Sequence, residues 1–143
     1  MPLCVDIECT TYNKGNPYDQ RNKLVSIHCH DGTQSWSFKP SDKVEVQELI
    51  DKHDLLILFN AKFDISWLRL YSFNVTNKKI YDVQLAEYYL SNQQHKLPSL
   101  DEVLVKYGLP VKVDKVAALW DAGVQTDDIP WDVLCEYGEG DVE

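Results

Sequence analysis

The sequence is poor in positive charge and has no cysteine motif and no long apolar run. Its 143 residues carry 14 Lys and Arg against 23 Asp and Glu, a net charge of −9. That balance argues against a protein that grips nucleic acid through a broad basic face. It is compatible with an enzyme that meets phosphate through bound cations, because such a site must itself be acidic. The longest apolar runs, Leu55 to Phe59 and Val116 to Trp120, fall far short of a membrane span. Asp6 and Glu8 stand where a signal peptide needs its apolar core, so no secretory leader is expected. Cys4, Cys9, Cys29 and Cys135 form no C-x-x-C pair, which excludes a zinc ribbon and predicts reduced thiols. The expectation is a soluble chain of the cytoplasm. Its length suits one domain, and 44% apolar residues suffice for a core.

Hydrophobic patterning predicts the elements. Leu3, Val5 and Ile7 alternate with Cys4, Asp6 and Glu8, the signature of a half-buried strand. A polar loop over 11–22 contains Gly15 and the Asn16-Pro17 breaker. Strands follow over 23–30 and 33–39, joined by a turn at Asp31-Gly32. Pro40-Ser41-Asp42 opens a helix to about His53, with Ser41 as N-cap. The run 55–59 reads as a buried strand. From Lys62 onward the pattern turns helical, with a Phe63, Trp67, Leu68, Tyr71 stripe. Further helices are predicted over 81–90, 97–108 and 115–123, and a last one begins near Ile129-Pro130. Ser99 with Glu102 forms a capping box, and Gly108 and Pro110 stop that helix. The order β-β-β-α-β followed by helices predicts an α/β layer fold, an antiparallel meander joined by a parallel strand.

Three polar motifs interrupt this pattern. Asp6 and Glu8 share one strand face with Cα atoms about 7 Å apart. Like charges there are destabilising without a basic partner, and none lies in the strand. "NAKFD" places Asn60 at a strand end and Asp64 in the first helical turn. "YGEGD" puts Tyr137 and Asp141 one turn apart on a single helix face. Trp131, Cys135, Gly138 and Val142 form a separate packing stripe, while Glu136 and Glu139 fall toward solvent. Taken alone, each motif has an ordinary explanation: a surface acidic pair, a carboxylate favouring a helix N-terminus, a solvated helix face. Together they supply four carboxylates from three separated segments, the hard oxygen set that Mg²⁺ or Mn²⁺ requires.

This constellation resembles the DEDD superfamily of 3′–5′ exonucleases, in its tyrosine-bearing DEDDy branch, over nearly the whole chain. "DIECTTYNKGNPYDQRNKLVSIH", "YDVQLAEYYL" and "HKLPSLDEVLVKYGL" look like the N-terminal proofreading domain of phage family A DNA polymerases. The resemblance implies an RNase H-like fold, a mixed sheet flanked by helices. It implies that Asp6, Glu8, Asp64 and Asp141 hold two divalent cations, Mg²⁺ or Mn²⁺, with Asp6 as the bridging ligand. Tyr137 would orient the attacking water, Thr10 and Asn60 would lie near the terminal nucleotide, and Asp82 would act as a cap or supporting residue. Related domains continue the last helix, so residues 1–143 would be an exonuclease domain truncated within it.

The mechanism implied is in-line displacement at phosphorus by two metal ions about 3.5–4 Å apart. A phenol with a reference pKa of about 10 is no base at neutral pH, so Tyr137 would act by hydrogen bonding. The substrate would be a single-stranded or mispaired DNA 3′ end, the product a nucleoside 5′-monophosphate, and the partner a linked or separate polymerase domain. An unpaired end has already lost the roughly few kcal/mol that pairing and stacking supply. An RNase D-like exoribonuclease and a catalytically silent exonuclease-like nucleic-acid-binding domain remain as alternatives. Phe63 and Trp67 could stack on bases but fit the core stripe better. Lys78, Lys79 and Lys96 read as solvated loop charges, and His28 and His30 as strand residues without metal-ligand spacing.

Overall fold

A computed structural model describes residues 1–111 and 115–143. Five strands form one sheet: β1 (Leu3–Cys9), β2 (Leu24–His30), β3 (Ser35–Phe38), β4 (Leu55–Leu58) and β5 (Lys79–Asp82). Their order is β3-β2-β1-β4-β5. The first three form the antiparallel meander, and β4 and β5 continue from β1 in parallel. Helices α1 (Lys43–Asp51), α2 (Ala61–Leu70), α3 (Val83–Leu90), α4 (Leu100–Lys106), α5 (Lys115–Asp121) and α6 (Trp131–Val142) flank the sheet. This is the mixed α/β architecture that the alternating and helical patterns predict.

The two faces of the sheet differ in chemistry. Leu3, Val5, Ile7 and Cys9 of β1 lie with Ile27, Cys29, Leu56 and Leu58 in the main core. Val46, Leu49 and Ile50 of α1 and Trp67 and Leu68 of α2 close that core. The opposite face carries Asp6 and Glu8 paired across the ladder with His28 and Ser26, and His28 in turn with Ser37. Helix α6 packs over β1, β2 and β3. Gly138 makes this approach possible, since a methyl group there would overlap the His28 ring. The ladder is irregular after Glu8: Cys9 pairs with Leu24, so Val25 is passed over. That extra residue turns Leu24 into the main core and leaves Val25 against the smaller cluster of Val116, Ile129 and Leu134.

Several predicted boundaries move. Residues 79–82, read as loop and helix start, form the edge strand β5, and only Val83 onward is helical. Its residues are mostly exposed, so no apolar alternation marks it, and the ladder to β4 defines it. Asp42, not Ser41, is the N-cap residue of α1, and its carboxylate accepts the Lys39 amide at 2.9 Å. Ser99 caps α4 by accepting the Glu102 amide at 3.2 Å. At the β2–β3 turn, Asp31 Oδ1 accepts the amides of Thr33 and Gln34 at 2.9 and 3.0 Å. No helix among the described residues is long and apolar enough to cross a membrane.

Candidate active site

The polar sheet face and the end of α6 bring together residues that lie more than a hundred positions apart in the chain. One oxygen each from Asp6, Glu8 and Asp141 lie within 4.8 Å of one another. All three side chains are half-buried, open enough for a ligand to reach. The strand pattern explains the first two: apolar Val5 and Ile7 are buried, so the intervening carboxylates must emerge on the other face. Asp141 arrives through α6, whose last turn is closed by Val142, 4% exposed, and by the Glu143 amide donating to Glu139 O at 3.2 Å.

Asp64, in the first turn of α2 and 3% exposed, stands outside this group of three, with the charge of Asp6 acting on it. Burial first, then the charges of Asp6 and Asp82, hold its carboxyl well above the usual range, while the Ile7 backbone amide pulls it down. Its Oδ2 is buried with no hydrogen-bond partner among the described residues. A buried carboxylate oxygen without a donor, with the charge of Asp6 acting on it, suits a cation better than a core. The atoms that the group of Asp6, Glu8 and Asp141 offers are carboxylate oxygens, and among the described residues no His or Cys joins it, a set that suits a hard divalent cation.

The turn that delivers Asp64 is built around another aspartate. Asp82, at the end of β5, accepts the amides of Asn60 at 3.1 Å and Ala61 at 2.9 Å. The same carboxylate caps α3 through Gln84 N at 3.0 Å and Leu85 N at 3.3 Å. It is thus a cap, as the sequence suggests, and it serves two helix starts at once. Asn60 takes the left-handed conformation, φ 60°, that an asparagine tolerates. Its exposed side chain edges a cavity of about 320 Å³ lined also by Pro17, Tyr18, Lys62, Phe63 and Ser66.

The other residues that the sequence singles out have these surroundings. The Thr10 side chain is internal, 1% exposed. Its hydroxyl donates to Asn22 Oδ1 and accepts the Lys23 amide, both at 2.9 Å, so it ties the loop to β2. Trp67 is fully buried and donates Nε1–H to Gly15 O at 3.1 Å, which settles it as core. Tyr137 is half-buried, one turn before Asp141, with its ring edge-on to Trp120 at 5.6 Å between centroids. Glu139, expected in solvent, accepts the Ser37 hydroxyl at 2.8 Å.

That last contact belongs to a polar layer that sequence reasoning missed. His28 is fully buried, with Nε2 at 2.8 Å from Ser26 Oγ and Nδ1 at 2.9 Å from Ser37 Oγ. Ser37 spends its one proton on Glu139, so Nδ1 of His28 carries the hydrogen in its contact with Ser37. The alternation Ser26, His28 and then Ser37 was visible. That its face would be roofed by a glycine on a helix 110 residues later was not.

This sheet order and helix arrangement are those of the RNase H-like nucleases. The family model described as 3′-5′ exonuclease matches residues 1–143, and the chain belongs to that family. No curated protein matches the sequence significantly. Among solved structures, Brucella melitensis NrnC with bound Mg²⁺ superposes with a TM-score of 0.68 at 18% identity, over 99% of this chain and 66% of that one. The family B DNA polymerase of the archaeon Pyrobaculum calidifontis gives 0.63 at 15% identity, over 99% of this chain and 23% of that one. The Aedes aegypti Nibbler EXO domain gives 0.62 at 12% identity, over 96% and 71%. The match thus spans just under two thirds of NrnC and under a quarter of the polymerase. At these identities the likeness is one of fold.

Proposed function

We propose that this domain removes nucleoside 5′-monophosphates from single-stranded or mispaired DNA 3′ ends, in the service of a linked or separate polymerase domain of the phage family A type. The observation that carries the reading is the convergence of Asp6, Glu8 and Asp141 within 4.8 Å, with Asp64 buried beside Asp6. Membership of the 3′–5′ exonuclease family supports the direction of attack.

Asp6, Glu8, Asp64 and Asp141 would hold two divalent cations. Bound there, such ions supply an activated water and neutralise charge at phosphorus. The remaining roles fall to the chain itself. The rigid β1 strand keeps Asp6 and Glu8 at a fixed separation, because Leu3, Val5 and Ile7 are locked in the core. Tyr137 acts as a hydrogen-bonding group that orients water for in-line attack. Asn60 and Phe63, on the cavity at the start of α2, suit the terminal nucleotide, with Phe63 offering an aromatic face. Preference for unpaired ends over duplex is consistent with a net charge of −9, which offers little attraction to a second strand.

The test is degradation of a 5′-labelled single-stranded oligonucleotide in Mg²⁺ or Mn²⁺. Wild-type protein should shorten it from the 3′ end, and Asp6→Ala should lose at least a hundredfold in rate, on the order of removing one element of an electrostatic site. A folded wild-type chain that shortens neither DNA nor RNA would identify a catalytically silent binding domain. Parallel DNA and RNA substrates decide between the proofreading role and an RNase D-like one.

A further inference from the structure

We infer that Thr126 and Trp120 are positioning residues that fix the Tyr137 ring relative to the strand carrying Asp6 and Glu8. The inference rests on the exonuclease reading above and on the part Tyr137 plays in it. Thr126 lies in a short 3-10 turn (Thr126–Asp128) between α5 and α6 and is fully buried despite its hydroxyl. Its Oγ1 donates to the carbonyl of Cys9 at 2.6 Å and accepts Nε1–H of Trp120 at 3.0 Å. Cys9 is the last residue of β1, directly after Glu8. The Trp120 ring then meets Tyr137 edge to face, at 5.6 Å and 87°. An unbroken path of short contacts therefore runs from the metal-site strand to the tyrosine ring.

Filling space would not require this arrangement. A valine has the shape of threonine and no polar atoms to satisfy, so a buried hydroxyl needs both its donor and its acceptor side occupied. Here the two sides point at different elements, and the hydroxyl sets the distance between them. A second tie repeats the connection: Gln125 Oε1 accepts the Thr11 amide at 3.1 Å and the Thr11 hydroxyl at 3.3 Å. An edge-to-face aromatic pair has a preferred geometry, so a fixed Trp120 in turn restrains the orientation of Tyr137. Asp141 depends on this path far less. Its backbone is placed by the packing of α6 on the sheet, through Gly138 on His28. The Tyr137 hydroxyl sits at the end of a long side chain, where a small tilt of the ring moves it most.

The distinction yields a sharp test on the full chain. Thr126→Val deletes both hydrogen bonds and keeps the shape. It should lower kcat on a single-stranded oligonucleotide by roughly tenfold to a hundredfold, the scale of an ångström-sized misplacement, with KM changed less than about twofold. Thr126→Ser, which keeps the hydroxyl, should return kcat to within about threefold of wild type. In a Tyr137→Phe background, Thr126→Val should cost less than about twofold more, because the group it positions is gone. In the metal-free chain, near-ultraviolet circular dichroism should weaken in Thr126→Val and persist in Thr126→Ser, with the far-ultraviolet spectrum unchanged. The rise in melting temperature on adding Mg²⁺ should be the same in all these variants, since every carboxylate remains. If Thr126→Val does not fold, Trp120→Phe, which removes Nε1–H and keeps an aromatic edge, takes its place in the same cycle. Equal losses with and without the Tyr137 hydroxyl, or a wild-type kcat in a folded variant, would overturn the inference. A wild-type chain that degrades no oligonucleotide overturns the exonuclease reading and this inference with it.

Discussion

Replacing Asp64 by Asn should make the metal-free protein more stable and blind to divalent cations. Asp64 is 3% exposed, and its Oδ2 is buried with no partner among the described residues. A buried polar group left unsatisfied costs about 1–3 kcal/mol, and the asparagine amide still leaves some of that cost in place. A gain of about 1–2 kcal/mol is therefore expected, and at this chain length about 4 °C of melting temperature accompanies each kcal/mol. The metal-free variant should melt about 4–8 °C above wild type at pH 7.

The pH dependence has a definite sign. Burial, and then Asp6, raise the Asp64 pKa in the folded chain above its ordinary value of 3.8, so folding favours the protonated form. The stabilisation this provides is complete below about pH 4 and is lost as pH rises through the raised folded value. The two proteins should thus melt together near pH 4 and diverge toward neutral pH, with the variant the more stable. Saturating Mg²⁺ should reverse the ranking, because a ligand at a hundred times its dissociation constant adds about 2.7 kcal/mol to wild type. Thermal melts in chelator and in Mg²⁺, at pH 4, 5.5 and 7, provide the measurement. A variant that melts at or below wild type in chelator at pH 7 refutes the reasoning, because the buried carboxylate would then be satisfied without metal.

Other substitutions probe the frame around the site. Gly138→Ala places a methyl group in the His28 ring, and overpacking of this kind costs about 1–3 kcal/mol or more; an unchanged melting temperature would show that α6 does not press on the sheet there. Asp82→Ala strips the acceptor from amides at the starts of both α2 and α3, so a loss of about 2 kcal/mol and a weaker Mg²⁺-induced stabilisation are expected from melts in both conditions. Burial foremost, with Asp6 or Glu8 next, pushes the Cys4 and Cys9 thiols up to about 12, so neither should react with a disulfide reagent within minutes at pH 8 until the chain is denatured. Rapid labelling of either in native buffer would contradict their placement.

Much of the architecture was legible because it rests on local periodicity. The alternation of Leu3, Val5 and Ile7 with Asp6 and Glu8 predicts both the strand and the face on which the carboxylates stand, and β1 carries them there. The run 55–59 reads as a strand for a different reason, its unbroken apolar character, and Leu55–Leu58 form one with only Leu56 and Leu58 fully buried. Strand β5 was not legible: Lys79, Ile80 and Tyr81 are exposed at a sheet edge, and only pairing with β4 makes them a strand. Thr10 follows Glu8 closely enough to suggest a ligand contact, yet its hydroxyl is taken by Asn22 and Lys23. Glu139 looked solvated on its helix and is not, because Ser37 reaches it from β3.

The acidic set itself marks the boundary between the two kinds of information. Residue types and spacing, read together across three separated segments and with the family resemblance, singled out Asp6, Glu8, Asp64, Tyr137 and Asp141 as candidates. Tertiary structure alone decided their mutual geometry. Three oxygens come within 4.8 Å because Gly138 lets α6 settle on His28, and Asp64 turns inward because Asp82 grips the turn before it. Periodicity acts over a few residues and can orient a side chain on its own element. The distance between elements depends on contacts between residues far apart in the chain, and those exist only once the chain has closed on itself.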